Sequence, residues 1–262
     1  IPVATSLAGK GAFSDNHPLA LGLGGLSRAR YNTKQAAYCA DQADVVLAIG
    51  AAFRQQAEFM LEDGALPQDI DSAMEAFGFP MGPFAVSDLS GLDIAWARRK
   101  RLADSRDPQA RYGSRVADKL CEMGRFGQKT GAGWYRYENG KRVVDPLVAT
   151  LIEAVSAELG IKRRPIDAET IQRNIRAAMV NEGAKILAEK IAARALDIDM
   201  ALVHGYGYPA WRGGPMFEAD DRGLSVTLAD VEALHAASGK GWEPASLLVD
   251  LARGGKTFAS FQ

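Results

Sequence analysis

The side chains able to do chemistry in this 262-residue sequence are few, and their spacing limits what they can do. His17, His204 and His235 lie far apart without metal-ligand spacing, so no metal site is expected. Cys39 and Cys121 are too few for a disulfide framework or a cysteine zinc site and suit a reducing compartment. Gly127-Gln128-Lys129-Thr130 has the composition of a phosphate loop, but its lysine does not directly follow the last glycine. Gly22, Gly24 and Ser27 approach a dinucleotide loop and lack its third glycine. Two basic clusters, Arg98-Arg99-Lys100-Arg101 and Lys162-Arg163-Arg164, have the charge to meet phosphates. Cations at the C-terminal ends of helices are the simpler reading.

These residues sit on elements of two kinds. The first fifty residues carry seven formal charges, the other 212 carry 56, and glycines punctuate the first stretch. Ile1 to Thr5 reads as a strand, Lys34 to Ala43 as a helix, and Val45-Val46-Leu47-Ala48-Ile49-Gly50 as a buried parallel strand ending at a glycine. Beyond Gly50 the apolar spacing turns to threes and fours. It predicts helices over Phe53 to Glu62, Gln68 to Phe77, Phe84 to Leu102 and Leu147 to Leu159. Thr227 to Asp230 has the spacing of a capping box, and Asn139-Gly140 predicts a hairpin between Trp134 and Val144.

One pattern occurs twice. Asp69-Ile70-Asp71, Gly78-Phe79-Pro80, Gly82-Pro83, Asp88 and Gly91-Leu92 return as Asp197-Ile198-Asp199, Gly207-Tyr208-Pro209, Gly214-Pro215, Asp220 and Gly223-Leu224. The order is kept at a spacing of about 130 residues, which predicts two copies of one helical unit.

The repeated segments carry a resemblance. Leu61-Glu62-Asp63-Gly64-Ala65, Asp69-Ile70-Asp71, Phe77-Gly78-Phe79-Pro80-Met81-Gly82-Pro83-Phe84 and Gly124 through Tyr135 resemble the C-terminal helical domain of 3-hydroxyacyl-CoA dehydrogenases. Asn181-Glu182-Gly183-Ala184 through Met216 is similar to the duplicated domain that closes the multifunctional β-oxidation enzymes. Pro2 to Thr5, Gly9 to Phe13, His17-Pro18-Leu19 and Ala43 to Gly50 resemble the central domain of thiamine-diphosphate-dependent decarboxylases and acetolactate synthases, over less than half of such a domain. The implied fold is mainly α, with two helical units of the 6-phosphogluconate dehydrogenase C-terminal type behind a small α/β fragment. The boundaries follow as 1–50, 51–145 and 146–262.

The resemblance implies NAD as cofactor, acyl-CoA as substrate, and catalysis by a His held by a Glu in a nucleotide-binding front half that has no counterpart here. The family's catalytic Asn falls where this sequence reads Val45 to Gly50, and an apolar side chain cannot polarise a carbonyl. No catalytic, cofactor or metal residue is therefore assigned, and hydride transfer by this chain alone is not expected. Pro80, Met81, Gly82, Pro83, Asn181 and Glu182 are the candidate substrate-binding residues. The other reading of Asn181 and Glu182 is that, on an amphipathic helix, they pin the two helical copies together.

Three functions remain open: an acyl-CoA-binding and dimer-forming part of a 3-hydroxyacyl-CoA dehydrogenase, an interaction module without catalysis, and a thiamine-diphosphate enzyme remnant. A net charge of −1 argues against nucleic acid, and the absence of a long apolar run argues against a membrane. A homo-oligomer in the cytoplasm is expected, with contacts through residues 1–50 or the face from Phe79 to Phe84.

Overall fold

The structure, a computed structural model, describes residues 3–5, 20–23, 44–101, 103–105, 111–239 and 241–261. Two short strands, β1 (Val3–Thr5) and β2 (Ala20–Leu23), pair in parallel, Val3 opposite Ala20 and Thr5 opposite Leu23. The predicted helix over Lys34 to Ala43, together with His17 and Cys39, falls outside the described residues.

Helix α1 (Asp44–Asp63) follows, and it corrects the sequence reading: Val45 to Gly50 is its opening, not a strand. A short apolar run looks alike in a buried strand and a buried helix. Here it continues without a turn signal into Ala51-Ala52-Phe53, and the helix takes it. Gly50 is no strand end. It lies against the Tyr206 ring with no room for a Cβ, and Ile49 before it is fully buried. Further along, Ala57, Phe59, Met60 and Leu61 are all buried.

Helices α2 (Pro67–Phe77), α3 (Pro83–Ser90) and α4 (Leu92–Arg101) come next. The sequence suggests a single helix from Phe84 to Leu102. The structure breaks it at Gly91, whose φ of 98° lies in the region that glycine tolerates best. Helix α5 (Arg115–Glu122) leads to an antiparallel hairpin of β3 (Arg136–Glu138) and β4 (Lys141–Val143). Its two turn residues, Asn139 and Gly140, have φ of 50° and 76°, the left-handed pair that an Asn-Gly turn supplies.

The rest of the chain is helical: α6 (Pro146–Glu158), α7 (Ala168–Ala188), α8 (Ala195–Tyr206), α9 (Pro215–Arg222), α10 (Leu224–Ser238) and α11 (Ser246–Arg253). The expected capping box at Thr227 is not a helix start. Helix α10 begins three residues earlier, and the buried Thr227 hydroxyl turns back to the Gly223 carbonyl. The fold is mainly α. No described helix is long and apolar enough to cross a membrane.

Among the described residues the chain forms two compact units. One lies within Ala52–Ala178 and Asp230–Glu243, the other within Ile1–Ala51, Met179–Ala229 and Pro244–Gln262. The first holds α2 to α6 and the hairpin. The second holds α8, α9 and α11.

Candidate functional site

The twice-occurring Asp-Ile-Asp triplet has one geometry in both places. Its first aspartate closes its own helix: Leu66 N–H donates to Asp69 Oδ2 at 3.0 Å, and Arg194 N–H to Asp197 Oδ2 at 3.1 Å. Its isoleucine, Ile70 or Ile198, is fully buried. Its second aspartate turns inward and caps the next helix. Asp71 accepts from Phe84 N–H (2.9 Å) and Ala85 N–H (3.0 Å) at the start of α3. Asp199 accepts from Met216 N–H (2.8 Å) and Phe217 N–H (3.1 Å) at the start of α9. First-turn amides have no acceptor within their own helix, and a carboxylate there also meets the positive end of the helix dipole. Gly82 and Gly214 are required beside them, because a Cβ at either would strike Asp71 or Asp199.

The third aspartate of each copy ties down a distant segment. Asp88 accepts from Trp134 N–H (2.8 Å) and Tyr135 N–H (3.0 Å), and Asp220 from Phe258 N–H (2.7 Å) and Ala259 N–H (3.0 Å). Gly127 and Gly133 let the chain close around Asp88, since a Cβ on either would meet it. The glycine-rich loop is thus filled by a carboxylate.

In the first unit the hairpin then folds over this frame. Tyr135 Oη donates to Asp71 Oδ2 at 2.7 Å and Tyr137 Oη to Asp88 Oδ2 at 3.0 Å. Arg142 spans Asp71 (3.3 Å) and Glu75 (3.2 Å), with its guanidinium over the Tyr135 ring. Burial pushes Asp71 up to about 6 against the opposing pull of Tyr135, Phe84 N–H and Ala85 N–H. Burial likewise raises Asp88 to about 6 against its two backbone donors and Tyr137. Both tyrosines are raised, by burial first and by the neighbouring carboxylate second, so they stay protonated donors.

Between this hairpin and the α2–α3 turn lies a cavity of about 220 Å³ lined by Glu75, Met81, Ala85, Gln128, Tyr137 and Arg142, with Gly140 at the turn. Its polar groups can hold a ligand by hydrogen bonds. No nucleophile with an attendant base lines it.

The candidate residues are placed as follows. Pro80 is exposed, Met81 is half-buried on the cavity wall, Gly82 packs on Asp71, and Pro83 opens α3. Asn181 and Glu182 belong to the other unit. The Asn181 side chain is fully buried and its Oδ1 accepts from Ala245 N–H at 2.8 Å, just ahead of α11. Glu182 is half-buried, 3.6 Å from Lys185. Sequence reasoning missed Glu75, Tyr137 and Arg142. Only the hairpin register, set by Asn139-Gly140, puts the last two on one face.

One arginine of each basic cluster is spent on the fold. Arg163 donates to the Leu61, Gly64 and Ala65 carbonyls at the end of α1, and Arg99 pairs with Asp118 at 2.7 Å. Lys129 pairs with Asp93. Burial raises the Cys121 thiol to about 11, which keeps it a protonated core group. The Gly127-to-Gly133 loop encloses Asp88, which would repel a phosphate.

Residues 45–137 match the family model described as 3-hydroxyacyl-CoA dehydrogenase, C-terminal domain. Over those residues the chain is similar to that domain. Residues 1–74 match the model described as thiamine pyrophosphate enzyme, central domain, so both models claim most of α1 and α2. The peroxisomal bifunctional enzyme of Danio rerio is 45% identical over 71% of this chain and 28% of its own length. The glyoxysomal fatty acid beta-oxidation multifunctional protein MFP-a of Brassica napus is 32% identical over 78% of this chain and 28% of its own. The chain thus spans little more than a quarter of the curated relatives it matches. The dehydrogenase part of multifunctional enzyme 1 from C. elegans has a similar fold, with a TM-score of 0.61 and 21% identity over 84% of this chain and 54% of that one. These relatives correct the expected cytoplasmic location, since their names place them in peroxisomes and glyoxysomes.

Proposed function

We propose that this chain is the C-terminal part of a multifunctional fatty-acid β-oxidation enzyme, serving its 3-hydroxyacyl-CoA dehydrogenase step by binding acyl-CoA and by self-association. The location that goes with this reading is the peroxisome. The observation that carries it is the duplicated Asp-Ile-Asp frame, in which Asp71 and Asp199 cap corresponding helices, in a chain 45% identical to a bifunctional enzyme. The acyl-CoA contact is assigned to Pro80, Met81, Gly82 and Pro83 beside the cavity. Asn181, buried and bonded to Ala245, pins the second unit together, and Glu182 remains the nearer candidate for a ligand.

Titration of a short-chain 3-hydroxyacyl-CoA into the chain by calorimetry tests this reading. A saturable heat that Met81→Asp abolishes supports it. No heat at about 1 mM ligand, a concentration at which ordinary substrates saturate their sites, leaves an interaction module without ligand. For the stretch ahead of α1 we infer descent from a thiamine-type central domain, because the match over residues 1–74 begins there. Thiamine diphosphate added to the same chain should give no heat if that stretch is a remnant.

A further inference from the structure

Asp71 has more donors around it than a protonated carboxyl group can keep. Phe84 N–H reaches its Oδ1, while Ala85 N–H, the Tyr135 hydroxyl and the Arg142 guanidinium all reach Oδ2. A carboxylate offers about four lone pairs, and these donors occupy them. A proton on this buried group needs an acceptor of its own. The amides and the guanidinium have none to give, so the Tyr135 hydroxyl is the partner able to turn from donor to acceptor. Arg142 is the donor held most loosely. Its bond is the longest, at 3.3 Å, and its side chain is 36% exposed where that of Asp71 is 1% exposed. Its other carboxylate, Glu75 at 3.2 Å, is itself exposed, and exposed ion pairs contribute little. The second copy lacks this arrangement: Asp199 accepts the corresponding amides, with no tyrosine or arginine among its described partners.

We propose that Arg142 is a proton-operated clasp on the cavity: when Asp71 takes up a proton, Tyr135 inverts, the guanidinium leaves the carboxyl, and the β4 side of the hairpin is free to swing from the α2–α3 turn. The groups facing Asp71 are Glu75 one turn along α2, Asp88 on α3, Tyr135 ahead of β3 and Arg142 on β4. On α7, Arg176 lies over the Phe77 ring instead. Burial raises Asp71 to about 6 despite its donors and Arg142, which brings the clasp within reach of mild acidity. Asp88 takes a proton in the same range, but it bonds Tyr137 and two amides and holds no cation. Proton uptake removes a buried charge, so the helical core gains stability while the arm at its edge loosens. The clasp bounds the cavity beside Met81 and works whether or not acyl-CoA is the ligand there.

Methyl NMR of the full chain labelled at the methionine ε-carbons tests it, with the Met81 signal identified by its loss in Met81→Leu. Between pH 7.5 and pH 5 that signal should move with a midpoint near 6, as should the Arg142 Nε–H signal. Asp71→Asn carries an amide N–H where the acid would carry its proton, so it should show the wild type's low-pH signals already at pH 7.5. Glu75→Gln should leave the midpoint where it is. A Met81 signal that stays flat in the wild type overturns the clasp. So does one that moves unchanged in folded Asp71→Asn, or one whose transition Glu75→Gln removes. Circular dichroism establishes folding. If Asp71→Asn does not fold, Arg142→Gln decides: it should leave Met81 flat, and an unchanged transition there overturns the proposal.

Discussion

Asp71 concentrates the work of a whole turn in one side chain. It accepts from two amides of α3 and from Tyr135, and it faces Arg142, all while buried. Replacing it with alanine leaves two amides and a hydroxyl without an acceptor and should cost about 3 kcal/mol or more in a urea melt. Asp71→Asn keeps the shape and separates charge from packing. The pH dependence follows from the direction of the shifts. Asp71, Asp88 and Asp199 are all raised to about 6, mainly by burial, from an ordinary value of 3.8. The folded chain takes up these protons before the unfolded chain does, so their contribution to stability increases as pH falls from above 6 towards 4. The urea midpoint should be higher at pH 5 than at pH 7.5, and Asp71→Asn should flatten part of that slope. A midpoint that drops over this range would refute the assignment.

Among the elements, the hairpin and α1 carry the clearest tests. Gly140 has φ of 76° and nothing near a Cβ, so Gly140→Val should cost about 1 kcal/mol through backbone strain alone. The same change should weaken acyl-CoA binding if the cavity beside Arg142 belongs to the substrate site. Gly50→Val meets the Tyr206 ring and should lower the melting temperature by several degrees, which differential scanning calorimetry would record. That result would be unexpected if Val45 to Gly50 were the strand its composition suggests. Periodicity over six residues cannot separate the two states, whereas the longer helices α2 and α6 stand within one or two residues of their expected ends. The Asp-Ile-Asp repeat was legible because two copies constrain each other. The cavity was not, because Glu75, Gln128 and Arg142 come from three elements brought together by a turn and by tethers to Asp88. No spacing along the chain announces that.

For the molecule as a whole, the expected chemistry is binding without turnover. The chain incubated with a 3-hydroxyacyl-CoA and NAD should give no rise in reduced-cofactor absorbance over buffer. A rate of even about 1 per second, ordinary for an enzyme, would show that residues outside those described supply a nucleotide site and a base. Carboxylates that cap and tether also leave a mark on how the molecule breathes. The first amides of a helix ordinarily trade their hydrogens for solvent deuterium within moments, having no carbonyl behind them. Phe84, Ala85, Met216 and Phe217 stand at such positions, yet each is held by an inward-turned aspartate. Their deuterium uptake should be slow, limited by opening of the unit itself. At the start of α7 the capping Asp167, which accepts from Thr170 N–H, is exposed at the surface, and exchange there should be faster.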